Sequence, residues 1–399
     1  MARSLTLCLL GALVACDAAD GGSLETDDGT STSTGAVSSS SSTDPGITGG
    51  STSNPAPETT GGGEDGSTSA HGSTGSPPEG VPVIVSIAHG GQTARSCDGG
   101  QSWHDFNAFG IQDDHSDYAA FGGITFGNGA FVAATGWGAD ARVLRSTDGI
   151  TWEDLPDEAF ISETGGRPSN GASGVEFVGG DFVLFAGGGL WRSPDGTTWT
   201  RSTTDNLDAA GNIREVEYLP SLDRLVVVME GWDATGWVVQ TSDDGGHTWS
   251  VGTGATAACI GFVQHNGGLA AHDGRILLAG GDGPVCVSDD GGLTWSEAGT
   301  LGAGVADVGS SPEGFFALTW SGELRHSEDG LTWSTSGSTG LAEGRLDWHE
   351  AFGFFGEGPG YVHSSDGVSW APSRTTPPSG FGGVREFSAG IIAPEHSCF

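Results

Sequence analysis

Seven times between Ser96 and Trp370 the chain repeats one pattern: Ser, any residue, Asp, Gly, one or two further residues, Ser or Thr, then Trp. The aspartates are Asp98, Asp148, Asp195, Asp244, Asp290, Asp329 and Asp366, and the tryptophans run from Trp103 to Trp370. Successive aspartates lie 50, 47, 49, 46, 39 and 37 residues apart. A repeat of this length suits one four-stranded antiparallel unit, which cannot bury both of its faces alone and must stack on neighbours. The pattern predicts an all-β fold, a seven-bladed β-propeller.

The motif explains itself as a hairpin corner. An Asp carboxylate accepts bonds from backbone N–H groups just downstream and closes an Asx-type turn. The following Gly supplies positive φ, the Ser or Thr opens the next strand, and the Trp buries a large apolar face. All seven aspartates are therefore read as structural. The motif resembles the Asp-box, or BNR, repeat of sialidases, other glycosidases, sortilin-type receptors and photosystem II assembly factors. The resemblance covers about residues 81–399 and implies the propeller fold. It implies no single activity, because those families do unrelated work on one architecture.

Alternation places the strands. In the first full unit they are expected at Ala119–Phe126, Ala130–Thr135, Ala141–Ser146 and Thr151–Leu155. In the next they are expected at Ser173–Val178, Phe182–Ala186, Leu190–Ser193 and Thr198–Ser202. Before the first motif there is room for only two strands, Pro82–Ile87 and Thr93–Ser96. After the last comes one more, Gly382–Ser388. The ring then closes if the C-terminal strand completes the N-terminal blade, which removes a free sheet edge.

The N-terminus reads as an export signal. Arg3 precedes an apolar run from Leu5 to Ala15, too short for a membrane span. Residues 1–15 are assigned as a signal peptide. Leu13-Val14-Ala15-Cys16 resembles a bacterial lipobox, which implies lipidation of Cys16 and anchoring to a membrane, in the periplasm or at the cell surface. Residues 16–80 are assigned as the lipidated Cys and a disordered tether. From 17 to 80 they are mostly Ser, Thr, Gly, Pro and acidic residues with no Phe, Trp or Tyr, so they cannot bury a core. A flexible coil of that length reaches about 40–50 Å. Residues 81–399 are assigned to the propeller.

Beyond the tether, 13 basic residues face 41 acidic ones, a net charge of −28, and every basic residue is Arg. Such a charge argues strongly against nucleic acid and against anionic lipid surfaces as partners. With Cys8 in the signal and Cys16 lipidated, four cysteines remain, an even number that favours disulfides in an exported chain. Cys97 with Cys398 would staple the first blade to its C-terminal strand, and Cys259 with Cys286 would act within the fifth unit. No Cys or His spacing matches a zinc site, and no cofactor motif is present, so neither metal nor cofactor is expected.

Because the motifs join third to fourth strands, the opposite face carries the second-to-third-strand loops and the connections between blades. Trp137, Trp232 and Trp320 recur there at equivalent places, with Trp237 beside the second. Aromatic faces among carboxylates suit stacking on sugar rings; packing over the channel or a neighbouring loop is the alternative. Asp113, Asp114, His115 and Asp117 cluster in the first connection but lack the spacing of a defined calcium loop, and read as a solvated loop.

The resemblance to sialidases implies three arginines on the substrate carboxylate and a Tyr nucleophile activated by Glu. The F/Y-R-I-P signature is absent; Arg167-Pro168 is the nearest match, and Tyr118, Tyr218 and Tyr361 carry no flanking motif. The expectation is a monomeric envelope lipoprotein with a non-catalytic binding or scaffolding propeller, its ligand a glycan or an envelope protein. The alternative is a glycoside hydrolase of unknown specificity.

Overall fold

The computed structural model of the chain describes residues 80–88, 92–108, 121–135, 140–162, 165–168, 171–187, 189–203, 207, 211–231, 237–255, 259, 267–281, 283–341, 344–358, 360–375, 385–396 and 398. They form seven antiparallel sheets. Blade 1 is built from both ends of the propeller: its inner strand is Arg385–Ile392, followed outward by Val81–Ala88, Gln92–Ser96 and His104–Ala108. Blades 2 to 7 follow in sequence order. Their inner strands are Phe121–Gly127, Ala172–Val178, Gly211–Leu219, Gly267–His272, Val305–Ser311 and Arg345–His349. Each of these inner strands touches the next, and the inner strand of blade 7 touches that of blade 1, so the ring closes.

The C-terminal strand pairs with Val81–Ala88 along its whole length, from Val81 opposite Ile392 to Ala88 opposite Arg385. It therefore runs past Ser388 to Ile392, further than alternation suggests. Pairing with the apolar N-terminal strand carries it through Ser388, Ala389 and Gly390. The expected start at Gly382 lies outside the described residues. The outer strand of blade 2 is only Glu153–Asp154. Thr151 is still engaged by its N–H to Asp148 at 2.7 Å, so the chain leaves the corner two residues later than expected.

In every motif the Ser Oγ donates to the Asp Oδ1 two residues on. In blade 2, Ser146 Oγ donates to Asp148 Oδ1 (2.9 Å) and accepts the Gly149 N–H (2.8 Å), while Asp148 Oδ1 accepts the N–H groups of Ile150 and Thr151, each at 2.7 Å. Motifs with a second Gly stretch by one residue. In blade 4, Ser242 Oγ accepts from Gly246 (2.7 Å), and Asp244 takes both the N–H (2.8 Å) and the hydroxyl (2.6 Å) of Thr248. Burial opposes the charge on Asp244, but these bonds overcome it and hold the carboxyl at about 2. At Asp366 the N–H groups of Ser369 and Val368 have the same effect, again to about 2.

Seven apolar cores lie between seven pairs of adjacent blades, because alternate residues of each strand face opposite neighbours. Val83, Val85 and Ile87 face blade 2, whereas Ile84 faces blade 7. Each motif Trp packs toward the preceding blade: Trp152 on blade 1, Trp199 on blade 2 and Trp249 on blade 3. At about 25 cal/mol per Å² over roughly 200 Å², each such Trp contributes on the order of 5 kcal/mol of gross burial. Trp103 closes the circle, stacked on Tyr361 of blade 7 at 4.2 Å between ring centroids.

Arginines pin one blade's third or second strand to the next blade's motif. Arg95 donates to the Asp148 carbonyl (2.9 Å), and Arg145 to the Asp195 carbonyl (2.9 Å). Arg224 donates to the Asp290 carbonyl (2.8 Å), and Arg275 to the Asp329 carbonyl (2.5 Å). Arg192 lies against Gly245, with Asp244 among its charged neighbours. At the last two junctions the residue before the motif Ser is His326 or His363, and His326 bonds within its own blade, to the Glu313 carbonyl. The first and last blades are also tied by Arg374 N–H to the Gln101 carbonyl (2.8 Å), and within blade 1 a Cys97–Cys398 disulfide joins the motif to the segment after the C-terminal strand. A second disulfide, Cys259–Cys286, lies in the core between blades 4 and 5.

Two connections cover sheet edges. After blade 2 the chain makes a short 3-10 turn, Asp157–Ala159, and Phe160–Ile161 then joins blade 3 as a fifth strand, parallel to its outer strand. Phe160 is buried against Trp191. After blade 4, Thr253 exchanges backbone bonds with Leu293 and Trp295 of blade 5.

Candidate functional site

The seven motif aspartates do not converge; each stays at its own hairpin corner, on the end of the ring where the inner strands also turn back. Function has to be sought on the opposite end and along the axis.

On the opposite end, Trp320 occupies the loop between Gly314–Thr319 and Glu323–Ser327 of blade 6. Thr319 Oγ1 accepts the Glu323 N–H (3.0 Å) and contacts Ser321 Oγ (3.0 Å), which sets the loop. The Trp320 backbone N–H donates to the Gly304 carbonyl (3.1 Å) and its indole N–H to the Val305 carbonyl (2.7 Å). Gly304 lets the ring lie close, since a Cβ there would sit 3.3 Å from it. The side chain is 44% exposed yet bonded at its polar edge, so one apolar face is held out to solvent in a set orientation. Trp137 and Trp232 lie outside the described residues, as do Asp113, Asp114, His115, Asp117 and Cys16. Trp237 begins the third strand of blade 4, its backbone opposite Glu230, and its side chain lies outside the described set.

The sialidase-type candidates are occupied elsewhere. Arg167 forms ion pairs with Asp154 (3.3 Å) and Asp157 (2.5 Å) and donates to the Leu155 carbonyl, so it serves the blade 2–3 connection. Tyr218 donates to Asp223 (2.9 Å) at a hairpin, and burial together with that bond raises its pKa, the reverse of an activated nucleophile. Tyr361 is buried under Trp103. Tyr118 lies outside the described residues.

Along the axis the structure assembles a cluster that composition alone hides. Glu176 of blade 3 senses Glu215 of the adjacent blade 4 and, across the channel, Glu386 of blade 1 and Asp347 of blade 7. Glu217 adds a fourth inner-strand Glu and Asp307 comes from blade 6. Asp307 is buried; the others are half-buried, surrounded by protein but open to the channel. Arg345 lies among them, 3.6 Å from Asp307 and 3.3 Å from Glu386. Asp307 also accepts the Leu346 N–H (2.7 Å), and Asp347 the Trp348 N–H (2.7 Å).

Removal from bulk water is the main force on Glu176, Glu215, Glu217, Asp307 and Asp347, and neighbouring carboxylates add to it. Glu176, Glu215 and Glu217 are each pushed up to about 8. Asp307 rises to about 7 against the pull of Arg345, and Asp347 to about 6. Arg345 is held more firmly cationic, chiefly by Glu386. At neutral pH the channel thus presents protonated carboxyls that donate hydrogen bonds beside ionised ones that accept them. No group of three His, Cys, Asp or Glu among the described residues is placed to hold a metal ion.

The sequence contains one hint of this cluster. Glu215 and Glu217 stand two apart in a strand otherwise rich in apolar residues, and so share a face.

Comparison with known proteins agrees with the architecture. No family model and no curated protein matches the chain. Among solved structures, a protein from Lactobacillus plantarum is 11% identical with a TM-score of 0.51, covering 77% of this chain and 99% of that one. YCF48 bound to D1 peptide is 18% identical with a TM-score of 0.49, covering 75% and 95%. YCF48 from Cyanidioschyzon merolae is 15% identical with a TM-score of 0.47, covering 70% and 94%. At these identities the likeness is one of fold, and the fold is a seven-bladed β-propeller of four-stranded antiparallel sheets.

Proposed function

We propose that the chain is an exported, lipid-anchored envelope protein whose propeller is a non-catalytic binding or scaffolding module of the Asp-box kind. Its ligand is a glycan or an envelope protein, met on the face opposite the motif hairpins. Trp320 carries this reading: an exposed indole whose N–H is already bonded offers a rigid apolar face without a further polar demand. The lipobox-like Leu13-Val14-Ala15-Cys16 supports the anchor, and the −28 charge disfavours nucleic acid as ligand.

A glycan array followed by product analysis tests it. A binder retains a sugar without releasing fragments, and Trp320→Ala weakens retention by about tenfold or more, the effect of removing a stacking aromatic of about 1–3 kcal/mol. Unchanged retention in Trp137→Ala, Trp232→Ala and Trp320→Ala rejects the stacking platform, and no retention of any glycan turns the search to envelope proteins. Incorporation of labelled fatty acid, lost in Cys16→Ser, tests the anchor.

One observation favours the second reading, a glycoside hydrolase. Glu215 and Glu217 keep their protons to about 8 in an enclosed channel, which is the state a general acid requires. Released sugar that disappears in Glu215→Gln would establish it in place of the binder.

A further inference from the structure

Eight Asp-Gly pairs and one Asn-Gly pair lie wholly within the described residues. Such pairs can rearrange in water without an enzyme. The Gly nitrogen bonds to the side-chain carbonyl carbon, an approach that no Cβ hinders. Asp loses water in this step and Asn loses ammonia, and the product is a five-membered succinimide. Water then adds to either ring carbonyl and opens the ring. One opening yields Asp, the other isoaspartate, in which the main chain runs through the former side-chain carbon. Nothing is oxidised or reduced, and for Asp the water lost is regained.

Seven of the Asp-Gly pairs belong to the motifs, and the motif geometry restrains them. Each motif carboxylate accepts at least one backbone N–H from two to four residues on, at 2.7–2.9 Å. These bonds must break before the carboxyl can swing onto the Gly nitrogen. They also favour the ionised form, whereas loss of water needs the protonated one. In blades 2, 3 and 7 the attacking nitrogen is occupied too: Gly149, Gly196 and Gly367 donate their N–H to the motif Ser Oγ at 2.8, 2.8 and 2.9 Å.

The other two pairs are the two-residue turns of inner hairpins. Asn128-Gly129 joins the first two strands of blade 2, and Asp273-Gly274 those of blade 5. The turns share one backbone conformation, φ +45° and +76° in the first, +48° and +81° in the second. Tertiary contact separates them. Asn128 Nδ2, the nitrogen that would leave, donates to the Gly180 carbonyl (2.9 Å) and the Pro194 carbonyl (2.7 Å) of blade 3. Asp273 is 93% exposed, and its carboxylate lies 3.5 Å from Nε2 of the adjacent His272. Among the described residues no N–H and no other blade engages it. We propose that Asp273 is the isoaspartate-forming site of the folded propeller. Isoaspartate there puts one extra main-chain carbon into a turn of only two residues. Next in the chain after that turn is Arg275, whose guanidinium holds Asp289 (2.6 Å) and the Asp329 carbonyl of blade 6 (2.5 Å).

Ageing the full chain in buffer at physiological temperature, followed by peptide mapping with electron-transfer fragmentation to mark isoaspartate, tests the assignment. Isoaspartate is expected at position 273 about ten- to hundredfold faster than at any motif Asp, because each motif carboxyl must first give up a charge-assisted hydrogen bond. In guanidinium the eight rates are expected to converge. The variant Asp273→Asn gives both hairpins the same chemistry, and loss of ammonia at position 273 is expected at least about tenfold faster than at Asn128. A motif Asp that keeps pace with Asp273 in the folded chain overturns the assignment. So does a difference that persists in guanidinium, which places its cause in sequence neighbours, or equal loss of ammonia at positions 273 and 128 in the variant.

Discussion

Gly149→Ala isolates what contact between blades contributes at the motif hairpins. Gly149 has φ +73°, and a Cβ there would lie 2.6 Å from Val85 Cγ2 of the preceding blade. Val85 is fully buried, so its methyl has nowhere to go. Forcing an L-residue into the left-handed region costs about 1–2 kcal/mol, and overpacking a tight core adds about 1–3 kcal/mol. The sum is about 2–5 kcal/mol. Gly129→Ala is the control: its φ is +76°, but a Cβ there meets nothing within 4 Å, so only the backbone cost applies. The narrowing of unfolded conformations by alanine is common to both and cancels in the difference. Gly330→Ala falls between them, with φ +70° and Leu277 Cδ1 at 3.1 Å. Guanidinium unfolding followed by tryptophan fluorescence gives the three midpoints at constant slope. Gly149→Ala and Gly129→Ala agreeing within about 0.5 kcal/mol would refute the claim that the motif Gly is required by the neighbouring blade and not by its turn alone.

Two further measurements bear on the same physics. The motif aspartates are held below the ordinary carboxylate pKa, so their stabilisation is present above that value and lost as pH falls through the folded values, about 2 at Asp244 and Asp366. The channel carboxyls have the opposite sign and lower stability as pH rises toward 8. Thermal midpoints across pH 2–9 are therefore expected to peak near pH 5, and a plateau from 5 to 8 would contradict the channel contribution. Ending the chain at Gly380 removes the inner strand of blade 1 together with Cys398, and is expected to lower the thermal midpoint sharply and expose the edge of Val81–Ala88; an unchanged transition would contradict closure by the C-terminal strand.

The legible part of this protein is the part whose physics is local. Ser, Asp, Gly and Trp of each motif interact over two to four positions, as Ser146, Asp148, Gly149 and Thr151 show. Blade count, strand phase and the need for closure all follow from that short-range chemistry repeated seven times. Alternation sufficed for strands such as Ala130–Thr135, which is buried along its length. It failed where pairing overrides pattern, at the C-terminal strand that continues to Ile392 and at Phe160–Ile161, a two-residue strand recruited by the edge of another blade.

What the tertiary structure alone decided is which charges meet. Arg95 precedes Ser96, Arg145 precedes Ser146 and Arg192 precedes Ser193, a recurrence visible in the chain. Its purpose appears only when the next blade's carbonyl arrives 2.9 Å from Arg95 and Arg145. Glu176, Glu215, Glu217, Asp307, Asp347 and Glu386 are scattered over more than two hundred residues of an acidic sequence, where none stands out. Closing seven inner strands into a ring brings them to one axis, around a single described arginine. Removal from water then raises the pKa of Glu176, Glu215, Glu217, Asp307 and Asp347 above the ordinary carboxylate range. Local chemistry determined the architecture, and the closure of the ring determined its electrostatics, because a pKa depends on neighbours that sequence distance does not measure.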